Sequence, residues 1–398
     1  MRWLLVFAAV GCTASESNPT ITYRRDVHWT DPRPLIGVGA GRILVTNNLE
    51  DTVSVLDLAR VGQPDFGELA RVPVGLVPIE TEGPHHAAID PAGLVYYVGI
   101  SYYVPGTGSG PHGAHGSGTA DGYVLKVRAA DHVLLGSVRV DPNPGDLITS
   151  PDGKTVYATH YDLLRVLKNP TDPEAQRSRL AVIDTATLTR RAMLPLCPAA
   201  HGVLPSPDGK RVYAACQSDE VAVVEGDVVT RVNVAPTVGD AASPLYAPYT
   251  LAIAPTTGEV FISCLQSGEL RVLNPSTLTM TATRTLPVGG KPLFGRFTAK
   301  GDRFYVPRQG PDGIVVVDPT GPSIVAQWPV ESKHCVAPHG IELTPDERYA
   351  LLVCEGDHVG PGSLLVVALS VDGVAPGTRL QTVPLGLFPD YLGILRTP

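Results

Sequence analysis

The stretch His201-Gly-Val-Leu-Pro-Ser-Pro207-Asp208-Gly209-Lys-Arg-Val-Tyr213-Ala-Ala-Cys216 is one of several copies of the same unit in this chain. Its Pro-Asp-Gly centre is a turn signal: proline fixes φ, aspartate can bond its own backbone, and glycine takes φ > 0. On either side, small or apolar residues alternate with polar ones, the pattern of paired strands. Copies begin at His85, Gly145, Tyr249, Leu293 and His339, each followed six positions later by a turn residue (Pro91, Pro151, Pro255, Ala299 and Pro345). A unit of this size cannot bury its apolar face alone, so a chain that repeats it every few tens of residues must stack the copies into a repeat architecture.

The remaining strands count out in the same rhythm. Second strands are expected at 42–47, 94–101, 154–160, 210–216, 259–265, 303–309 and 349–355, and each is followed by an apolar third strand, such as Thr-Val-Ser-Val-Leu-Asp-Leu at 52–58 and Gly-Ile-Val-Val-Val-Asp at 313–318. Fourth strands end near Pro-Val, as at 71–75, 284–289 and 327–330. The seventh first strand lies at the C-terminus, where Val383-Pro-Leu-Gly386-Leu-Phe-Pro389-Asp390-Tyr-Leu-Gly-Ile aligns without gaps on Leu286-Pro-Val-Gly289-Gly-Lys-Pro292-Leu293-Phe-Gly-Arg-Phe. The expected fold is an all-β, seven-bladed β-propeller with four antiparallel strands per blade, its ring closed by the C-terminal strand. Closure of this kind leaves no free sheet edge. The 41 glycines and 38 prolines, spread without a low-complexity block, suit many short strands joined by turns.

Leu44-Val-Thr-Asn-Asn-Leu-Glu-Asp-Thr-Val-Ser-Val-Leu-Asp57 and Ser206-Pro-Asp-Gly-Lys-Arg-Val-Tyr resemble the YVTN-type β-propeller repeat family. That resemblance covers about residues 35 to 398 and implies a bacterial surface or periplasmic protein bordering on the lactonase-type propellers. It implies little about activity, because propellers host many chemistries. At the N-terminus one arginine precedes a short apolar run, too short to span a bilayer but fitting a secretory signal. Ala9-Val10-Gly11-Cys12 resembles a bacterial lipoprotein signal, with Ala9 where leucine is usual. The expected organisation is a signal segment over 1–11, a tether over 12–33 beginning with lipidated Cys12, and the propeller over 34–398. Ordinary cleavage without lipidation is the alternative. Either way the protein is expected to be exported, periplasmic or anchored at the outer membrane, and to meet a membrane only through the lipid anchor. The net charge of −8, from 31 basic and 39 acidic residues with no basic run, argues against nucleic acid as a partner.

Alternation of strand direction places the start of every first strand on the same rim as two insertions, a Gly-rich loop at 104–122 and a second segment at 163–177. That loop-rich face is where a small ligand or a protein partner is expected. Taking the residue six before each turn position gives a ring round the channel mouth: Asp390, His85, Gly145, His201, Tyr249, Leu293 and His339. Proline precedes six of the seven; Ala200 is the exception. His339, Asp390 and His85 fall on adjacent blades, and His201 lies further round. Two neutral nitrogens with one anionic oxygen form a ligand set for a divalent transition metal, the cofactor this ring implies. The same groups could exchange protons near neutral pH, or simply bond neighbouring backbone. Tyr249, Arg308, His112 and His115 are candidate ligand-binding residues on this face, although Arg308 could equally pair with a neighbouring loop and the two loop histidines could be solvated.

Cys197 and Cys216 are 19 residues apart, as are Cys335 and Cys354, and each pair brackets a first-and-second-strand hairpin from the same rim. Disulfides Cys197–Cys216 and Cys335–Cys354 follow, which suits an exported protein. Cys264 stands in the register of Cys216 and Cys354 without a partner, as a small buried residue or as a thiol beside Tyr249. No Gly-x-Ser-x-Gly elbow, P-loop, Cys-x-x-Cys-His or dinucleotide fingerprint occurs. Two functions are open: a cell-envelope binding scaffold with a ligand or metal at the channel mouth, or a metal-dependent propeller enzyme, lactonase-like or oxidoreductase.

Overall fold

The turn chemistry forms as the sequence dictates. Gly209 has φ +69°, Ser206 Oγ donates to Asp208 Oδ1 (2.7 Å), and Ser206 N–H donates to Arg211 O (2.8 Å), which closes the hairpin. Ser150 with Asp152 and Thr344 with Asp346 repeat the device at 2.6 Å. In the computed structural model, residues 28–29, 41–76, 81–102 and 117–396 are described. Cys12, the expected signal segment, His112 and His115 lie outside them.

Seven antiparallel sheets are arranged as blades, each ordered from the channel outward. Blade one runs Pro389–Leu395, Arg42–Asn47, Thr52–Asp57, Glu68–Pro73, so the last strand of the chain is the innermost strand of the first blade. His28–Trp29, inside the expected tether, adds a short outer strand to it. Blade two runs Pro84–Ile89, Val95–Ile100, Tyr123–Arg128, Leu134–Arg139, and blade three runs Pro144–Thr149, Thr155–His160, Arg177–Asp184, Thr189–Pro198. Blade four runs Ala200–Pro205, Val212–Cys216, Glu220–Glu225, Val228–Asn233. Blade five begins Pro248–Ile253, Val260–Cys264, Glu269–Asn274; its outer strand is split into Thr279–Met280 and Leu286–Pro287 by a 3-10 turn at Ala282–Arg284, where a continuous strand was expected. Blade six carries Phe304–Gln309, Gly313–Asp318 and Ser323–Pro329, and blade seven Pro338–Leu343, Tyr349–Cys354, Pro361–Ala368 and Arg379–Leu387.

Apolar cores lie between blades rather than at one centre. Leu44, Val55, Tyr96 and Leu125 pack blade one on blade two, and Val45, Leu56, Val353 and Val366 pack it on blade seven. The closing strand pairs Ile43 with Ile394 and Val45 with Leu392, and Asn48 N–H donates to Phe388 O (2.9 Å). Both expected disulfides are present, with Cα separations of 6.0 Å for Cys197–Cys216 and 5.3 Å for Cys335–Cys354. Cys264 is free and buried. The residue four before Tyr249, where Cys197 and Cys335 stand relative to His201 and His339, is Leu245. The 163–177 insertion opens with the helical turn Leu163–Lys168, capped by Asp162, whose carboxylate accepts from Arg165 N–H (2.9 Å). No helix among the described residues is long and apolar enough to cross a membrane.

Candidate metal centre

One local device, repeated, aims side chains into the channel. The residue before the shared proline is left-handed in blades three, five, seven and one: Asn143 (φ 58°), Ala247 (50°), Ala337 (53°) and Phe388 (52°). Proline then starts the inner strand without a backbone N–H that would need a partner at the crowded mouth. Blade four shows why that matters. Its exception, Ala200, follows left-handed Ala199 (φ 44°), pairs with Cys216 in the proline register, and donates its buried N–H to Ser178 Oγ (3.1 Å).

Next comes a β-bulge. Pro84 pairs with Ile100 and Ala87 with Val98, so His85 and His86 together oppose Gly99; the same shift occurs in blades three, four, seven and one. A bulge re-aims side chains. Here it places two successive residues of a strand at the channel instead of one. The expected ring is therefore the first of two tiers, the second being Tyr391, His86, Asp146, Gly202, Thr250, Phe294 and Gly340. The outer neighbours hold the first tier in place: Thr46 Oγ1 donates to His85 O (2.8 Å), Ser263 Oγ to Leu293 O (3.1 Å), and Thr159 Oγ1 to His201 O.

Blade six departs from the pattern. Among the described residues its inner strand is broken into Lys291–Pro292 and Arg296–Phe297, both paired with Phe304–Gln309, whose other side pairs with Gly313–Asp318. Between them Phe294 donates its N–H to His339 O and accepts from Ile341 N–H, both at 3.2 Å, bridging to blade seven at Gly340. The Phe294 ring crosses the channel to lie 4.7 Å from His86 and 5.3 Å from His339. Gly295 permits this bend, since a Cβ there would meet the Phe304 ring at 2.6 Å.

The predicted residues His339, Asp390 and His85 are side by side and buried. His85 Nε2 is 2.9 Å from Asp390 Oδ2, and His339 Nδ1 is 2.5 Å from Asp390 Oδ1. Asn48 Nδ2 also donates to Asp390 Oδ2 (3.0 Å). Burial would raise the Asp390 pKa, but the adjacent imidazoles His339 and His85 hold it well below the usual carboxylate range. For His339, burial opposes the charged form, yet the Asp390 charge outweighs it and lifts the imidazole to about 9. For His85 burial wins and lowers the pKa. That leaves His85 between two acceptors, since its Nδ1 is also 3.3 Å from Pro144 O. A neutral imidazole has one N–H and cannot donate to both.

His201 joins the same cluster, with its ring 5.2 Å from His85 and stacked at 3.7 Å on Tyr249. His86, next to the ring in sequence but not one of its seven positions, stands at the centre. Its ring centroid is 4.5 Å from His85, 5.4 Å from His201 and 6.0 Å from His339. His86 Nδ1 donates to Asp146 Oδ1 (2.8 Å), a carboxylate fixed by Leu147 N–H (2.8 Å) and Val203 N–H (3.0 Å). That bond sets the tautomer and leaves the Nε2 lone pair of His86 buried without a hydrogen-bond partner among the described residues. Two overlapping donor sets result, each with ligand atoms within 4.8 Å of one another: His85, His86 and His201; and His86, His339 and Asp390. No residue type in the repeat marks the bulge, so His86 and Asp146 carry no signal beyond following first-tier positions.

Other predicted residues stand apart from this cluster. Arg308 is on the same rim, but its guanidinium donates to Val288 O (2.6 Å), Gln327 Oε1 (3.0 Å) and Pro311 O (3.1 Å) and so holds the local loops. Cys264 is buried and its thiol pKa is pushed up by burial, which opposes thiolate formation. Nearer the surface, Glu355 is buried, accepts from Gln309 Nε2 (2.8 Å), lies 3.0 Å from His358 Nε2, and is raised by burial.

No family model matches the chain. None of the curated proteins matches it in sequence. Among solved structures, it is similar to the periplasmic gluconolactonase of Pseudomonas aeruginosa, at 19% identity over 90% of this chain and 99% of that one, with a TM-score of 0.63. It is also similar to a putative 6-phosphogluconolactonase from Bacteroides uniformis (12% identity, 89% and 99% covered, TM-score 0.61) and to hydrazine synthase of Kuenenia stuttgartiensis (16%, 80% and 92%, TM-score 0.58). At these identities the likeness is one of fold, the seven-bladed propeller.

Proposed function

We propose that this protein is an exported propeller of the YVTN-repeat type that binds one divalent transition metal ion in its channel and serves as a binding scaffold in the cell envelope. The observation that carries this is His86: a buried imidazole, oriented through Nδ1 by a fixed carboxylate, with its Nε2 lone pair unpartnered among the described residues and two donor sets around it. Carboxylate-oriented histidines are characteristic supports of metal ligands. A set rich in imidazole favours zinc or copper over magnesium or calcium. Two disulfides support an oxidising compartment.

Scaffold is preferred to lactone hydrolase on the lining. The pocket beside His86 is walled mainly by the apolar side chains Leu251, Phe294, Ile341 and Leu392, and no serine, cysteine or lysine among the described residues lines it. The test is calorimetric titration of chelator-treated protein with Zn(II) and Cu(II). One ion per chain is expected for the native protein, with binding lost in His86→Ala and kept in His132→Asn. A folded native protein that binds neither ion, or His86→Ala binding as the native does, would overturn the proposal.

A further inference from the structure

The two donor sets differ in charge and in shape. His85, His86 and His201 contribute three imidazoles, whereas His86, His339 and Asp390 contribute two imidazoles and a carboxylate. The rings of the first set have centroids 4.5, 5.2 and 5.4 Å apart and stand edge-on to one another, at 69°, 72° and 84°. At a metal–nitrogen length of about 2.0 Å, three imidazoles meeting at one ion have centroids about 5 Å apart. His339 is further from His86, at 6.0 Å, and faces Asp390. Each imidazole of the first set also has its own support. His86 donates to Asp146, Thr46 Oγ1 holds the His85 carbonyl (2.8 Å), and Tyr249 stacks on His201 at 3.7 Å with Tyr161 against its edge (5.1 Å).

We propose that His85, His86 and His201 form a site for a soft monovalent cation, Cu(I), distinct from the divalent site at His86, His339 and Asp390. This rests on the metal reading above and divides it between the two donor sets. A carboxylate beside the ion gives a divalent cation more Coulomb energy than a monovalent one, so zinc takes the set that contains Asp390. Three neutral nitrogens suit a single positive charge, and a soft cation prefers them to carboxylate oxygen. His86 offers one lone pair, at Nε2, because its Nδ1 is engaged by Asp146. The two sites therefore exclude one another, and the channel holds one ion at a time. Only ion binding is involved; no electron transfer is required.

The test uses chelator-treated full-length protein and Ag(I), the redox-inert analogue of Cu(I), with Cys12→Ala and Cys264→Ala introduced throughout so that no thiol competes. Calorimetric titrations with Ag(I) and with Zn(II) give the ratio of the two affinities. His201→Ala should shift that ratio toward Zn(II) by about a hundredfold, the upper end of what losing a ligand's support costs, and His339→Ala should shift it toward Ag(I) by a similar factor. Saturating Zn(II) should weaken Ag(I) binding by competition. Should a variant not fold, anomalous maps of native crystals grown with Ag(I) decide, with silver expected between His85, His86 and His201. A ratio that moves the same way in both variants or in neither, silver seated on Asp390, or a protein that binds zinc but no silver, overturns this inference and leaves the metal reading standing. Failure to bind either ion removes both.

Discussion

Blade four offers a sharp test of why the inner strands begin as they do. Six blades start with proline, whereas Ala200 presents an N–H in that register and places it on Ser178 Oγ at 3.1 Å. Ala200 is buried, and Ser178 is 1% exposed, so no bulk water can replace this bond. Ser178→Ala should leave the N–H unsatisfied and cost about 1–3 kcal/mol. With an unfolding entropy of about 2.1 cal/mol/K per residue over the roughly 340 described residues, that is a fall in Tm of about 1.5–4 °C. Adding Ala200→Pro to Ser178→Ala should recover most of the loss, because proline removes the orphaned donor and the preceding Ala199 already has the left-handed φ of 44° that precedes proline in blades three, five, seven and one. The loss to Cys197 O, which accepts from Ser178 Oγ at 3.0 Å, would remain. Scanning calorimetry of the native protein, both single variants and the double variant closes the cycle. If Ala200→Pro adds its own destabilisation to that of Ser178→Ala instead of relieving it, the account of the proline register is wrong.

Truncation after Gly386 deletes the strand Pro389–Leu395 and leaves Arg42–Asn47 unpaired on its channel side; no monomer with a cooperative melt should be recovered by size exclusion and calorimetry, and such a monomer would refute ring closure. Removing the Cys335–Cys354 bridge by a double alanine substitution should cost about 3 kcal/mol on the chain-entropy account of a 19-residue separation, read by urea unfolding. His132, buried against the Tyr96 hydroxyl at 3.1 Å, has its pKa lowered by burial to about 4. Between pH 6.5 and 4 the unfolded chain binds a proton there that the folded protein refuses, so stability falls as pH drops through this window, by about 3 kcal/mol from this group. His132→Asn should flatten that part of the urea-derived stability profile; an unchanged profile would exclude His132 as its source.

The fold was readable because its signals are local and repeated. Pro-Asp-Gly turns, strand alternation and the proline before each first strand set all seven copies in register, and the ungapped match of 383–394 to 286–297 located the closing strand. The first tier of the ring followed from that register, which is why His85, His201, His339 and Asp390 are found together. A bulge has no comparable signature: the extra residue is decided by how the inner strands crowd the channel. An alignment with one ring position per blade therefore passed over His86 and Asp146, and it assigned Leu293 where Phe294 fills the channel. The split of the blade-five outer strand at Ala282–Arg284 was missed for a related reason, since 284–289 carries the strand pattern and only packing against its neighbours bends it. The disulfides were legible because equal spacing in two blades fixed both ends on one rim. The fate of Cys264 followed from a residue outside its own strand, Leu245 in the position of the missing partner.

The central claim is that the channel ring is a metal centre built round His86. An anomalous difference map from crystals of the Zn(II)-loaded protein, recorded at the zinc edge, tests it most directly. The account predicts one dominant peak inside the channel, about 2.0–2.1 Å from His86 Nε2, with the remaining donors drawn from His85, His201, His339 and Asp390. A channel without a peak, or zinc bound only at surface groups such as His334 and His358 while His86 stays bare, would contradict it.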